Sequence, residues 1–324
     1  MNKREFIIAV VTAGPIPSLA QLQGKVWRIG FLSSVSASSS SRNTDAFLKG
    51  MRELGYVEGK NLVIQWRFAD GKLERLPGLA ADLVRLKVDL IVAAASPSIG
   101  AAQQATTTIP IVMATTGDPV GSGFVKSLAR PGGNITGLSN MNGDLGPKLF
   151  DLLRSVVPEL HRVAVLVTST STTYRGISEG VQAGAQTAGV KVLVFEASSP
   201  QEVENAFAMM ARENVDAVIV GASSFFAQQR NQIAELVIKY RMPSMFGNAA
   251  NVEAGGLMSY GYKVTDNYQR AATYVDRLFK GAKPGDMPVE QPTKFELVVN
   301  VKAAKAIGLT IPQLIMLRAD EVIQ

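Results

Sequence analysis

Apolar runs of strand length alternate with amphipathic stretches through most of the chain. In the N-terminal half the pattern predicts strands over 27–33, 62–68, 90–94, 111–115 and 135–140. Helices are predicted between them over 43–54, 73–86, 98–106 and 123–129. Leu73, Leu76, Leu79, Leu83 and Leu86 share a helical face, and Gly55 ends the first helix. The C-terminal half predicts helix 146–156, strand 163–168, helix 174–187, strand 191–196, helix 200–213, strand 217–222, helix 225–239 and strand 244–247. A glycine-entered strand over 255–261, a long helix over 264–280, a proline-rich connector over 281–292, a strand over 295–300 and a short helix over 302–307 follow, with order ending near 322. Strands this apolar, each followed by a helix, are the pattern of a parallel sheet buried on both faces.

The two halves repeat each other. Arg28-Ile29-Gly30-Phe31-Leu32-Ser33 opens a block that closes at Gly55-Tyr56, and Arg162-Val163-Ala164-Val165-Leu166-Val167 opens a block of equal length that closes at Gly189-Val190. Val88-Asp89-Leu90-Ile91-Val92 is echoed by Val215-Asp216-Ala217-Val218-Ile219. The expected fold is therefore α/β, with two similar Rossmann-like lobes of parallel sheet facing each other across a cleft. The tail has more elements than a simple tandem needs, so it crosses back. Lobe 1 is expected over 26–138 plus 253–292 and lobe 2 over 139–252 plus 293–324. Crossings near 138–142, 248–256 and 290–296 would form a three-segment hinge that bends without twisting freely.

A chain of 324 residues, 47% hydrophobic and 19% charged, has room for two such cores. Its net charge of +6 is spread along the sequence, with no basic run of the kind that marks a nucleic-acid partner. It contains no cysteine, which removes disulfides, thiol nucleophiles and a lipoprotein anchor. The single His161 reads as a loop or strand-edge residue, so a transition-metal site is not expected. Lys3-Arg4, the apolar run Phe6 to Val11 and the small-residue site Ser18-Leu19-Ala20 have the layout of a secretory signal over 1–20, with a weakened twin-arginine character. The mature chain would start near Gln21 and work in the periplasm.

Ligands of parallel α/β sheets bind beyond the carboxyl ends of the strands. The first lobe places Ser33, Ser34, Ser96, Thr115, Thr116, Asp118 and Asn140 there, and the second places Thr170, Ser171, Ser223 and Asn248. Hydroxyls, amides and helix-start N–H groups hold a carboxylate or another polar head through neutral hydrogen bonds. The competing role of each Ser or Thr is helix capping. Tyr174 and Phe225 begin helices just after strand ends and offer flat surfaces to a ring. No base stands near a serine and no carboxylates pair at these ends, so neither catalytic residues nor a cofactor are expected. Gly117-Asp118-Pro119-Val120-Gly121-Ser122-Gly123 lacks the Walker spacing and reads as a tight βα turn.

That segment, together with Ala129-Arg130-Pro131-Gly132-Gly133-Asn134-Ile135-Thr136-Gly137, Gly255-Gly256-Leu257-Met258-Ser259-Tyr260-Gly261, Lys280-Gly281-Ala282-Lys283-Pro284 and Pro288-Val289-Glu290-Gln291-Pro292-Thr293-Lys294-Phe295, resembles the ABC-transporter substrate-binding proteins of the tryptophan/tyrosine type. The resemblance covers nearly all of the chain beyond the signal. It implies the type I periplasmic-binding-protein fold and a hinge-closing, monomeric receptor that delivers a small organic solute to an inner-membrane ABC permease. By position, the hydroxyls that hold the ligand carboxylate in the related branched-chain amino acid receptors fall on Ser96 and Thr116. Those receptors meet the ligand amine with an acidic group, and here Ser223, Ser224 and Phe225 stand at the second-lobe strand end instead. The implied ligands are an amino acid, an aromatic acid or another carboxylate. Two other roles of such a cleft are a sensing subunit with a separate signalling partner and an α/β enzyme.

Overall fold

The computed structural model describes residues 25–140, 142–168 and 174–324. The expected signal over 1–20, Thr170 and Ser171 lie outside the described residues. The first lobe runs β1 (Trp27–Ser33), α1 (Ala37–Glu53), β2 (Leu62–Phe68), α2 (Leu76–Arg85), β3 (Leu90–Ala94), α3 (Ser96–Ala105), β4 (Ile111–Thr115) and β5 (Ile135–Gly137). The second runs α4 (Gly146–Val156), β6 (Arg162–Val167), α5 (Tyr174–Thr187), β7 (Lys191–Glu196), α6 (Pro200–Arg212), β8 (Ala217–Val220), α7 (Ser224–Gln228), α8 (Arg230–Lys239), β9 (Ser244–Phe246), α9 (Ala249–Glu253) and β10 (Met258–Gly261). The tail adds α10 (Val264–Phe279), β11 (Glu296–Asn300), α11 (Val301–Ile307), α12 (Gln313–Arg318) and β12 (Glu321–Ile323).

Five strands form one parallel sheet in the order β2-β1-β3-β4-β5. Seven form the other, β12-β11-β10-β9-β8-β6-β7, parallel except where β11 lies antiparallel to β10. The sequence repeat is a structural one. The orders β2-β1-β3-β4 and β7-β6-β8-β9 correspond, and the first residues of paired strands align alike, Trp27 with Leu62 and Arg162 with Lys191. Each sheet buries aliphatic side chains on both faces: Ile29, Val92 and Val112 on one side of the first sheet, Leu32, Ile91 and Ile111 on the other.

Local chemistry accounts for the departures from expectation. Helix α1 starts six residues before the predicted 43, because Ser36 caps it by accepting the Ser39 N–H at 3.2 Å. No helix forms over 123–129. Gly123 sits at φ +71°, and the N–H groups of Phe124 and Val125 turn back to the Pro119 carbonyl. The predicted helix over 225–239 breaks at Gln229 into α7 and α8. Two elements not expected from the sequence, α12 and β12, follow the last predicted helix, with β12 pairing to β11.

The lobe boundary also differs. Strand β10 pairs with β9 and β11, so residues 258–261 belong to the second sheet rather than to the first lobe that was expected from 253 onward. Glycine permits this, since a Cβ on Gly261 would lie 2.1 Å from the Gly247 carbonyl oxygen. The chain crosses between lobes after β5, at Tyr262-Lys263, and between Glu290 and β11. The first and third crossings pair with each other: the Ser139 N–H donates to the Glu290 carbonyl at 2.9 Å, and the Glu290 N–H donates to the Gly137 carbonyl at 3.0 Å. Arg270 of α10 grips the Glu290 carboxylate through two bonds, of 2.8 and 2.9 Å.

Helix α10 returns the chain to the first lobe and lies along α1. Gly50 makes the approach close, because a Cβ there would stand 2.6 Å from the Gln269 carbonyl oxygen and 2.9 Å from the Ala272 Cβ. Gly50→Val is expected to destabilise the protein by about 1–3 kcal/mol through overpacking, read as a lower midpoint in urea with an unchanged slope. At Glu290, the bond from Arg270 holds the carboxyl below its ordinary value. Its contribution is therefore complete above the usual glutamate range and lost as pH falls through the lowered value. Both side chains are partly exposed, so the pair contributes about 0–1 kcal/mol. The melting temperature of Glu290→Gln should lie slightly below that of the parent at neutral pH and converge with it as the pH falls through the lowered carboxyl value.

Candidate functional site

The carboxyl ends of β1, β3 and β4 face those of β8 and β9 across a cavity of about 170 Å³. The first-sheet wall is built around a strained turn. Ala95 has φ +68° and ψ 154°, a conformation that costs a non-glycine residue about 1–3 kcal/mol. In return its N–H reaches the Thr115 carbonyl at 3.1 Å, and its carbonyl accepts the N–H groups of Ser98 and Ile99, which starts α3 at once. The turn brings the Ser96 hydroxyl within 2.9 Å of the Thr116 hydroxyl. Beside them, Thr115 shares a hydrogen bond of 2.8 Å with the Tyr262 hydroxyl and accepts one of 3.3 Å from the Asn140 amide. The Asn140 N–H donates to the Thr116 carbonyl at 2.7 Å, so the first crossing is tied to the end of β4.

The opposite wall is made of helix starts. Ser223 accepts the Phe226 N–H at 3.0 Å and Asn248 accepts the Ala250 N–H at 2.9 Å, so these side chains both cap helices and line the cavity. Phe226 and Phe246 supply its apolar surface. Across the mouth, Arg42 of α1 pairs with Glu253 of α9, and the Gln228 amide donates to the Asp70 carbonyl at 3.4 Å. The lobes thus touch through polar contacts on the rim.

Of the residues expected from the sequence, Ser33, Ser34, Ser96, Thr115, Thr116, Asn140, Ser223 and Asn248 come together around the cavity. Three others do not. Asp118 turns away to accept the Gly121 N–H at 2.7 Å within its own turn. The Tyr174 hydroxyl donates to Glu196 at 3.0 Å on an exposed edge. Phe225 packs against the second-lobe core, leaving its neighbour Phe226 to face the cavity. Ser39 and Asn43 also line the cavity, as do Val264 and Tyr268. Each pair is four residues apart on one helical face. Predicting α1 from residue 43 left Ser39 outside the helix, which hid the first pair.

No Asp, Glu, Lys, Arg or His lines the cavity among the described residues. Its two tyrosines stay neutral. Burial raises the Tyr262 phenol despite opposing bonds to Thr115 and Asn140, and burial followed by the proximity of Tyr262 raises Tyr268. Among the described residues the site therefore offers hydroxyls, carboxamides, backbone N–H groups and rings, without a proton-transfer pair or a nucleophile–base pair.

This bilobed arrangement has known counterparts. An ABC domain from Streptococcus pneumonia, solved in complex with L-Trp, superposes with a TM-score of 0.86 at 29% identity, covering 92% of this chain and 99% of that one. A conserved domain protein from Vibrio cholerae O1 biovar El Tor gives a TM-score of 0.87 at 26% identity over 92% of this chain and 100% of that one. A tyrosine-binding protein of Clostridioides difficile is 25% identical over 282 residues, 87% of this chain and 81% of its own length. The model of the ABC transporter substrate binding protein family matches residues 28–323, and the chain belongs to that family of solute-binding proteins.

Proposed function

We propose that the protein is the extracytoplasmic receptor of an ABC importer and closes its lobes on a small organic solute. The observation that carries this reading is the cavity itself, whose walls come from the strand ends of both sheets. A solute bound there touches both lobes, so its binding energy favours the closed arrangement. The paired first and third crossings form the flexible edge, and the Arg42–Glu253 contact with the Gln228–Asp70 contact forms the opposite rim. Export by the N-terminal segment, delivery to an inner-membrane permease and action as a monomer follow from this role. The binding of L-Trp and of tyrosine by similar proteins supports a ring-bearing ligand. Ser96 and Thr116 are assigned to the ligand's polar head, with Asn140, Ser223, Phe226 and Asn248 enclosing the rest.

Native mass spectrometry of protein purified without refolding is expected to find a small organic molecule retained. A solute at a hundredfold excess over its Kd should stabilise the protein by about 2.7 kcal/mol, seen as a rise in melting temperature. Ser96→Ala combined with Thr116→Ala should abolish that rise, and an undiminished rise would remove these hydroxyls from the site. Glu253→Gln weakens the rim contact without touching the cavity. Because exposed ion pairs contribute at most about 1 kcal/mol, it should lower affinity by no more than about fivefold, mainly by faster release.

A further inference from the structure

Building on the receptor reading, we propose that the solute is a carboxylate with a single aromatic ring and no charged amine, and that Asn140 sets this preference. A buried ammonium needs an anionic partner, and one left without it is strongly disfavoured. None of the described residues around the cavity carries a carboxylate. Of the residues outside the described ones, Met141 and Ser169-Thr170-Ser171-Thr172-Thr173 carry no carboxylate, and Glu5, the one acid among 1–24, falls in the expected signal.

The same surroundings suit a carboxylate. It can be held by neutral donors alone, because hydrogen bonds to a charged oxygen are strong and an adjacent positive helix end favours the anion. The hydroxyls of Ser34, Ser96 and Thr116 face the cavity where α3, a helix of 10 residues, begins. The volume sets the size of the remainder. A dry cavity of about 150 Å³ accepts benzene, so about 170 Å³ takes one ring with a short chain. Phe226, Tyr262 and Tyr268 supply apolar and aromatic surface for that ring.

Asn140 is the position at which the charge of the solute is decided. It is 8% exposed, lies on the first crossing between the lobes, and is held to β4 by its backbone N–H and by its side-chain bond to Thr115. Its carboxamide has the shape of an aspartate side chain without the charge. An aspartate in its place would put an anion in the cavity wall with little change in packing.

Calorimetry with two matched pairs tests this: phenylpropionate against L-phenylalanine, and para-hydroxyphenylpropionate against L-tyrosine. Within each pair the difference is the amine alone. The member without the amine is expected to bind at least about tenfold more tightly to the parent protein. Asn140→Asp should shift the ratio toward the amino acids by at least about tenfold, with the near-ultraviolet circular dichroism unchanged. An amino acid binding as tightly as its partner would overturn the proposal and leave the receptor reading standing. The proposal also fails if all four probes are ignored while native mass spectrometry finds a different solute. Failure of the receptor reading would show instead as an empty cleft and no response to any solute. The parent comparison decides the question even if the variant does not fold.

Discussion

Parallel strand order places every strand-to-helix loop at the carboxyl edge of its sheet, and in this chain two such edges are turned toward each other. The function depends on that constraint. It gathers residues from β1, β3 and β4 with residues from β8 and β9, which no single stretch of sequence could do. Three crossings keep the edges facing. The backbone pairing of Leu138 with Glu290 joins two of those crossings into one narrow ribbon.

What the cavity holds is as informative as where it lies. Among the described residues its wall mixes uncharged polar groups with apolar surface, and burial raises both buried phenols above their ordinary value. Such a wall recognises a solute by shape and by hydrogen bonds from neutral side chains and backbone N–H groups. The strained turn at Ala95 is what brings Ser96 to Thr116.

The duplication, the parallel sheets and the strand-end rule were legible in the sequence, and together they led to most of the cavity's hydroxyls and amides. The limits have physical causes. A serine-rich first turn has weak helix propensity, so the start of α1 and the inward face carrying Ser39 and Asn43 were hidden until the Ser36 cap was seen. Phe225 and Phe226 are adjacent, and choosing between them needs the rotational phase of a helix of only five residues. Asp118 and Asn140 are both small polar residues just after a strand, yet one folds into its own turn and the other reaches the cavity. The placement of β10 in the second sheet depends on glycine contacts across strands, which periodicity does not encode.

The central claim is that both lobes hold one solute between them. A crystal structure of the protein carrying the solute with which it is purified tests this most directly. Density is expected between the sheets, within hydrogen-bonding distance of Ser96 or Thr116 on one side and against Phe226 or Asn248 on the other. A solute bound to one lobe alone, or outside this cleft, would contradict it.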